Sequence, residues 1–240
     1  MKICVFADLH GNYEALQKLA QTSDFLSADQ RIFMGDAVGL FWQSNLCINL
    51  LRKYNCIYLY GNHEKRVLKE LKDHFNKGND VIAHYDYLRN NITKENYNFL
   101  KALQKDYTYI YKNTIFYFCH YAWKGSQPVA RPSKNTAKNI AEIFKNVQAN
   151  YIFYGHEHSQ SELSDNQKTY IDVGSIGMKC PGNYYVINID EQNDQIIITH
   201  KTIEYDIEKV KKEALDLNYP LTDYVVNHML FRNDEYYSDY

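Results

Sequence analysis

The sequence predicts an α/β fold in which two packed β-sheets carry helices on their outer faces. Short apolar runs alternate with amphipathic segments through the first quarter of the chain, the spacing of β-α-β units on a parallel sheet. The final third reads instead as strands separated by turn residues, enough for a second sheet. A length of 240 residues is within the reach of one α/β domain, so residues 1–240 are expected to form a single domain.

The elements follow in order. Residues 3–7 are a short apolar run, hence a buried strand. Residues 12–21 place Ala15, Leu16, Leu19 and Ala20 on one helical face. Residues 31–34 read as a strand, 45–53 as a helix with Leu46, Leu50 and Leu51 apolar, and 57–60 as a third strand. A helical segment from about 65 to 103 carries Leu68, Leu71, Phe75, Phe99, Leu100 and Leu103, with Thr93 and Asn96 opening a helix inside it. Residues 107–111 and 114–119 flank Lys112-Asn113 as a hairpin. A helix at 135–145 leads to a strand at 151–154, then strands at 161–163, 169–173, 184–189 and 195–201, the last two parted by Asn193-Asp194. A helix at 207–215 precedes an aromatic, acidic tail at about 216–240, whose Tyr236, Tyr237 and Tyr240 read as frayed or as a self-association surface.

Composition narrows the class. With 27 Lys and Arg against 29 Asp and Glu, the net charge is −2, and the basic surface that long nucleic acid requires is missing. Ten Gly, 4 Pro and 5 Cys exclude collagen-like and disulfide-scaffold chains, and 23 Tyr with 11 Phe argue against disorder. Cys4, Cys47, Cys56, Cys119 and Cys180 are odd in number and lack metal or redox spacing, so buried reduced thiols are expected. No apolar run reaches the ~18 residues of a membrane span. The N-terminal apolar run is too short for a secretory signal and ends at Asp8. A cytoplasmic protein without membrane contact is the expectation.

Chemistry-bearing residues collect where the strands end. The first strand runs into Asp8-Leu9-His10-Gly11-Asn12, the second into Gly35-Asp36-Ala37-Val38-Gly39, and the third into Gly61-Asn62-His63-Glu64. The strand at 114–119 ends at His120, and that at 151–154 at Gly155-His156-Glu157-His158. In open α/β sheets, ligands bind beyond the carboxyl ends of the strands. Alternate residues of an extended chain share a side, so Asp8 with His10, and His156 with His158, can reach one site. Carboxylate, carboxamide and neutral imidazole suit Mn, Fe, Zn or Ni, and nothing indicates a thiolate zinc site. Turn chemistry accounts for any one of these segments. It does not account for five in this order after five strands.

The ordered set Asp8-x-His10, Gly35-Asp36-x-x-Gly39, Gly61-Asn62-His63-Glu64, His120 and Gly155-His156-x-His158 resembles the calcineurin-like metallophosphoesterase superfamily across residues 8–158. Asp8-Leu9-His10-Gly11-Asn12 and Val173-Gly174-Ser175-Ile176-Gly177 are similar to its small prokaryotic phosphodiesterase branch, which often has Asn-Pro where Asp172-Val173 stand here. The resemblance implies a four-layer αββα sandwich of two mixed β-sheets flanked by helices, and two divalent transition-metal ions per chain, manganese foremost, with Fe, Zn or Ni as alternatives. Asp8, His10 and His158 would hold one metal, Asn62, His120 and His156 the other, and Asp36 would bridge them. His63 would be the catalytic residue, and Asn62 and His63 would meet the substrate phosphate.

The implied activity is hydrolysis of a phosphodiester, small or nucleotide-like, by a hydroxide bridging the metals. Two ions roughly 3.5–4 Å apart clamp an in-line displacement and bring bound water to a pKa of about 7. His63 would protonate the leaving alkoxide. A dinucleoside polyphosphate hydrolase and a Ser/Thr protein phosphatase-like phosphomonoesterase are the alternatives. The latter pattern ends Asp-Arg-Gly where this chain has Gly39-Leu40-Phe41, so the carboxylate that would orient His63 and the Arg that would grip phosphate are missing. A non-catalytic scaffold is a third reading, though such relatives usually lose ligands and this chain keeps every one.

Trp42 and Trp123 follow two of the motifs, as platforms for a nucleobase or as ordinary packing. Lys124, Arg131 and Lys134 offer phosphate contacts or simply a solvated loop. Glu64 and Glu157 flank ligands, as carboxylates do that orient metal-bound His. His74, His84, His200 and His228 read as structural. The expected partner is a small phosphate ester or nucleotide, with homo-oligomerisation left open.

Overall fold

A computed structural model of the chain describes residues 1–69, 79–125 and 127–226. Leu71, His74, Phe75, His228, Tyr236, Tyr237 and Tyr240, singled out above, lie outside the described residues. The chain runs β1 (Lys2–Phe6), α1 (Tyr13–Ala20), α2 (Ser23–Leu26), β2 (Gln30–Phe33), α3 (Ser44–Lys53), β3 (Ile57–Tyr58), α4 (Asn62–Leu68), α5 (Asn79–Asn91) and α6 (Lys94–Lys101). It continues β4 (Asp106–Tyr111), β5 (Thr114–Cys119), β6 (Trp123–Lys124), β7 (Gln127–Pro128), α7 (Ala137–Ile143) and β8 (Tyr151–Tyr154). β9 (Ser161–Ser164), β10 (Thr169–Asp172), β11 (Gly182–Asp190), β12 (Gln195–Ile203), α8 (Ile207–Asp216) and α9 (Thr222–Tyr224) complete it.

Two five-stranded mixed sheets result, ordered β12-β11-β1-β2-β3 and β4-β5-β8-β10-β9. β1, β2 and β3 are parallel, as are β5, β8 and β10, while β11, β12, β4 and β9 pair antiparallel. Successive side chains of a strand point to opposite faces, and that alternation builds the layers. Ile3, Val5, Ile32 and Met34 of the first sheet meet Phe116, Phe118, Phe153 and Ile171 of the second. Cys4, Phe6 and Phe33 point the other way, onto Leu16 and Leu19 of α1 and Cys47, Ile48 and Leu51 of α3. On the far side Ile152, Tyr154 and Tyr170 meet Ile140 of α7 and the following Phe144. The arrangement is a four-layer αββα sandwich, as the resemblance implied.

Local signals account for the helix starts. The Asn12 side chain accepts the Ala15 N–H at 3.1 Å, Thr93 accepts from Asn96, and Asp206 accepts from Lys209, each filling a donor the first helical turn leaves open. The segment expected as helix from 65 to 103 comprises α4, α5 and α6 among the described residues. α3 buries Ser44, Cys47, Ile48 and Leu51; of the three leucines read as its apolar residues, Leu51 is buried, Leu50 half-buried and Leu46 exposed. Beyond α8 the chain is not loose at first: Tyr219, Leu221 and Val225 are buried against Leu40, Phe41 and Met178. Among the described residues no helix is long and apolar enough to cross a membrane.

Candidate metal centre

The parallel strands deliver polar side chains to one end of the sandwich. Asp8 and His10 follow β1, Asp36 follows β2, Asn62 opens α4 after β3, His120 follows β5, and His156 and His158 follow β8. Asp8, His10 and His158 form one cluster in which each offers a ligand atom within 4.8 Å of the others. His10 Nε2 and His158 Nε2 stand 2.9 Å apart, and His158 Nε2 is 3.1 Å from Asp8 Oδ1. Asp36, His120 and His156 form a second cluster on the same criterion, and His10, Asp36 and His63 a third that links the two. His120 Nε2 lies 3.2 Å from Asp36 Oδ2 and 2.8 Å from Asn62 Oδ1. All seven expected ligands and His63 are therefore brought together.

The donor set fits cations. Asp36 Oδ2 is buried without a hydrogen-bond partner, a state costing about 1–3 kcal/mol when nothing compensates it. His120 Nδ1 donates to the Met34 carbonyl at 2.8 Å, which turns Nε2 toward Asp36 and Asn62. Burial opposes ionisation of Asp8 and Asp36. It is outweighed by His158 and His10 beside the first and by His120 and His63 beside the second, so both carboxyls lie below the usual carboxylate range. Burial pushes His158 down to about 4 and His156 well below the usual imidazole range, which keeps both in the neutral, ligating form. For His120, burial is overcome by the Asp36 carboxylate and the group rises to about 9. Positive charge is thus stabilised where a ligand faces Asp36.

The backbone is bent to achieve this. Asp8, His10, Asp36, His156 and His158 all have left-handed φ, from 53° to 73°, a region that costs non-glycine residues about 1–3 kcal/mol each and recurs at functional sites. Hydrogen bonds between loops hold the bends. The His63 N–H donates to Asp36 Oδ1 at 2.8 Å, and the His156 N–H donates to Asp8 Oδ2 at 3.0 Å. Ser175 Oγ donates to the Asp8 carbonyl, which gives the Gly174-Ser175-Ile176-Gly177 segment a bracing role.

Glu64 is wholly buried, and no hydrogen bond joins it to a histidine among the described residues. Its carboxylate instead accepts the N–H groups of Asp36, Ala37 and Gly61 and the Tyr58 hydroxyl. It clamps the Asp36 loop to the start of α4. Burial lifts its pKa to about 7. Glu157 accepts from Tyr121 Oη at 2.7 Å and from Asn135.

The surroundings of His63 hold what motif reading missed. A Cβ at Gly39, with φ of 103°, would stand 2.2 Å from His63 Nδ1, so the glycine leaves room for the ring. Tyr85 Oη from α5 bonds that Nδ1 at 2.9 Å. Arg66, one turn along α4, places Nη1 3.3 Å from His63 Nε2 and 3.2 Å from Tyr85 Oη. Leu40 and Phe41 are buried in the core. Where the protein phosphatase pattern sets a carboxylate and an Arg, a tyrosine and an arginine from other positions stand instead. Arg66 was readable as a same-face neighbour of His63; Tyr85 carried no local signal.

Trp42 packs against Tyr219, with ring centroids 5.5 Å apart, whereas Trp123 lines a cavity. Arg131 donates to the His156 carbonyl, and Lys124 and Lys134 are exposed. His84, read as structural, is buried and accepts the Leu40 N–H at 3.1 Å.

A family model for the calcineurin-like phosphoesterase superfamily domain matches residues 1–194. An uncharacterised protein from Methanocaldococcus jannaschii is 26% identical over 91% of this chain and 93% of its own length. A metallophosphoesterase from Sphaerobacter thermophilus shares the fold with a TM-score of 0.71 and 19% identity, over 95% of this chain and 98% of that one. A hypothetical protein from Pyrococcus horikoshii OT3 does so with a TM-score of 0.74 and 15% identity, over 94% and 96%.

Proposed function

The chain belongs to the calcineurin-like phosphoesterase superfamily, and we propose that it is a phosphodiesterase acting on a small or nucleotide-like substrate at a centre of two divalent transition metals. Asp8, His10 and His158 would hold one ion, Asn62, His120 and His156 the other, with Asp36 shared. The observation that carries this is the buried, unpartnered Asp36 Oδ2 standing between the two clusters. When bound, such ions lower the pKa of water and neutralise phosphate oxygens. Manganese suits the oxygen and imidazole donors. Five unpaired cysteines accord with a reducing, cytoplasmic setting.

The protein's own groups then act on the leaving side. Arg66 has only donors to offer, so the His63 Nε2 it contacts is an acceptor and Nδ1 carries the proton given to Tyr85 Oη. Burial keeps His63 neutral at rest. An anionic phosphodiester favours the protonated ring, as any close negative charge does, and Nε2 becomes the atom from which a proton passes to the departing alkoxide. Asn62 and His63 meet the phosphate, and the Arg66 guanidinium supplies it with a fixed positive charge. Buried Leu40 and Phe41 in place of a phosphate-gripping Arg weigh against protein phosphatase action.

The test strips the protein with chelator, restores Mn²⁺, counts metal, and compares bis-p-nitrophenyl phosphate with p-nitrophenyl phosphate. Metal-dependent turnover favouring the diester is expected. Preference for the monoester would move the reading to a phosphatase, and no turnover on either with two metals bound would overturn it.

A further inference from the structure

Tyr121 and Glu157 stand beside candidate ligands, the first directly after His120 and the second between His156 and His158. Both are buried, where a hydrogen bond is electrostatically stronger than in water. Tyr121 Oη donates to Glu157 Oε1 at 2.7 Å, and Asn135 Nδ2 donates to Glu157 Oε2 at 2.6 Å. The Tyr121 ring lies against His156, with centroids 4.8 Å apart, and against Phe144 and Tyr154 at 6.0 Å. Arg131 donates to the His156 carbonyl. The stretch that carries Arg131 and Asn135 is itself fastened. The Val129 N–H donates to the Ala122 carbonyl at 2.8 Å, and Asn139 Nδ2 to the Lys134 carbonyl at 2.9 Å.

These contacts fall unevenly on the two clusters. His120 is joined to Tyr121 by the chain and His156 packs on its ring, and both belong to the same proposed ion. The other ion's ligands are held from elsewhere. The Asp8 carbonyl accepts from Ser175 Oγ at 2.7 Å and from the Gly177 N–H at 3.2 Å. The His10 N–H donates to the Asp36 carbonyl at 2.8 Å, and His158 Nε2 reaches Asp8 Oδ1 directly. Asp8 and His10 are wholly buried, whereas Arg131 and Asn135 are exposed. Apart from its N–H on Asp8, His156 is thus braced by a surface stretch, and the first cluster by the interior of the sandwich.

We infer that Tyr121 and Glu157 are positioning residues that set the affinity for the ion of Asn62, His120 and His156 and leave the ion of Asp8, His10 and His158 unaffected. The inference rests on the two-ion reading of the centre. Removing the Tyr121 hydroxyl deprives a buried Glu157 oxygen of its partner and loosens the turn that carries His156. Losing a partner that orients metal-binding groups weakens metal binding about 10–100-fold.

Equilibrium dialysis of the chelator-stripped full chain against graded Mn²⁺ tests it, with bound metal counted at each concentration. Electron paramagnetic resonance on the same samples tells two coupled ions from an isolated one. Wild type is expected to take up two. Tyr121→Phe keeps the ring on His156; it should take up its first equivalent as wild type does and need about tenfold or more free Mn²⁺ for its second, with the spectrum of an isolated ion in between. Glu157→Leu should behave likewise. Glu157→Gln should restore wild-type uptake, because its carboxamide still accepts from Tyr121 and the Asn135 amide can turn to accept from it. Unchanged uptake in Tyr121→Phe and Glu157→Leu, equal weakening of both equivalents, or a loss in Glu157→Gln as large as in Glu157→Leu overturns the inference. With two ions in wild type, any of these removes the positioning role alone. A wild type that never takes up a second ion removes the two-ion reading, and the inference with it.

Discussion

Asp36 and His63 sit 4.0 Å apart at their nearest Nε2 and Oδ2 atoms, yet the geometry gives them different work. Asp36 faces both ligand clusters with an oxygen that nothing else satisfies. His63 has both ring nitrogens engaged, by Tyr85 and by Arg66. Asp36→Asn should therefore lose both metal retention and activity. His63→Ala should keep its metal and lose roughly 10²–10⁴-fold in kcat, the range of a general acid. Metal analysis beside steady-state kinetics checks this, and equal metal loss in both variants would undo the division of labour. Tyr85 acts through His63 by fixing which nitrogen bears the proton. Tyr85→Phe keeps the buried ring and removes the acceptor, so kcat should fall about tenfold, at the low end for partners of this kind, with metal content unchanged. The pH–rate profile should shift with it, which a purely structural effect would not produce.

α5 and the segment after α8 meet at His84. Its Nε2 accepts the Leu40 N–H, so the neutral ring carries its proton on Nδ1 and donates to Tyr219 Oη. A second proton would have to enter at Nε2, against a donor. Burial, with the neighbouring His10 and Arg66 adding to it, pushes His84 down to about 3. The folded pKa lies below the ordinary value of about 6.5, so the stabilisation is whole above that pH and drains away as pH falls toward 3. Urea midpoints measured at pH 7.5 and 4.5 should drop further for wild type than for His84→Gln, which has no proton to gain. Parallel curves for the two proteins would show that His84 does not couple this packing to pH. On α3, Leu46, Leu50 and Leu51 read as the apolar residues, and the sheet took up Leu51 together with Ser44, Cys47 and Ile48. Amphipathic period is local; which side of the helix faces the sheet is not.

The whole molecule is closed around its thiols. Cys4, Cys47 and Cys119 lie in the cores, and burial pushes all three above the ordinary thiol range and Cys56 up to about 12. The thiolate is the nucleophile, so at pH 8 these four should resist an alkylating agent that labels all five in urea. Mass spectrometry of the native protein should show Cys180, only half-buried, reacting first. Rapid labelling of Cys4 or Cys47 would mean that the sheet and its helices open more readily than their packing implies.

Much of the architecture was legible because its causes are local. Strand runs and helix caps depend on residues within a turn or two of one another. The chemistry-bearing loops announce themselves by standing after strands, and the resemblance then picked the seven candidate ligands out of them. What stayed hidden depends on contacts between distant segments. Asp8 and His158 meet across 150 residues of chain. Glu64 was visible as a carboxylate beside a ligand, but that it clamps backbone N–H groups depends on how the Asp36 loop folds over it. Tyr85 reaches His63 because α5 packs on α4. Hydrophobic pattern and turn chemistry thus specify which elements form and where polar residues emerge from them. The packing of two sheets, driven by the burial of their facing side chains, settles which of those residues stand within a few ångströms of each other, and the chemistry depends on that spacing.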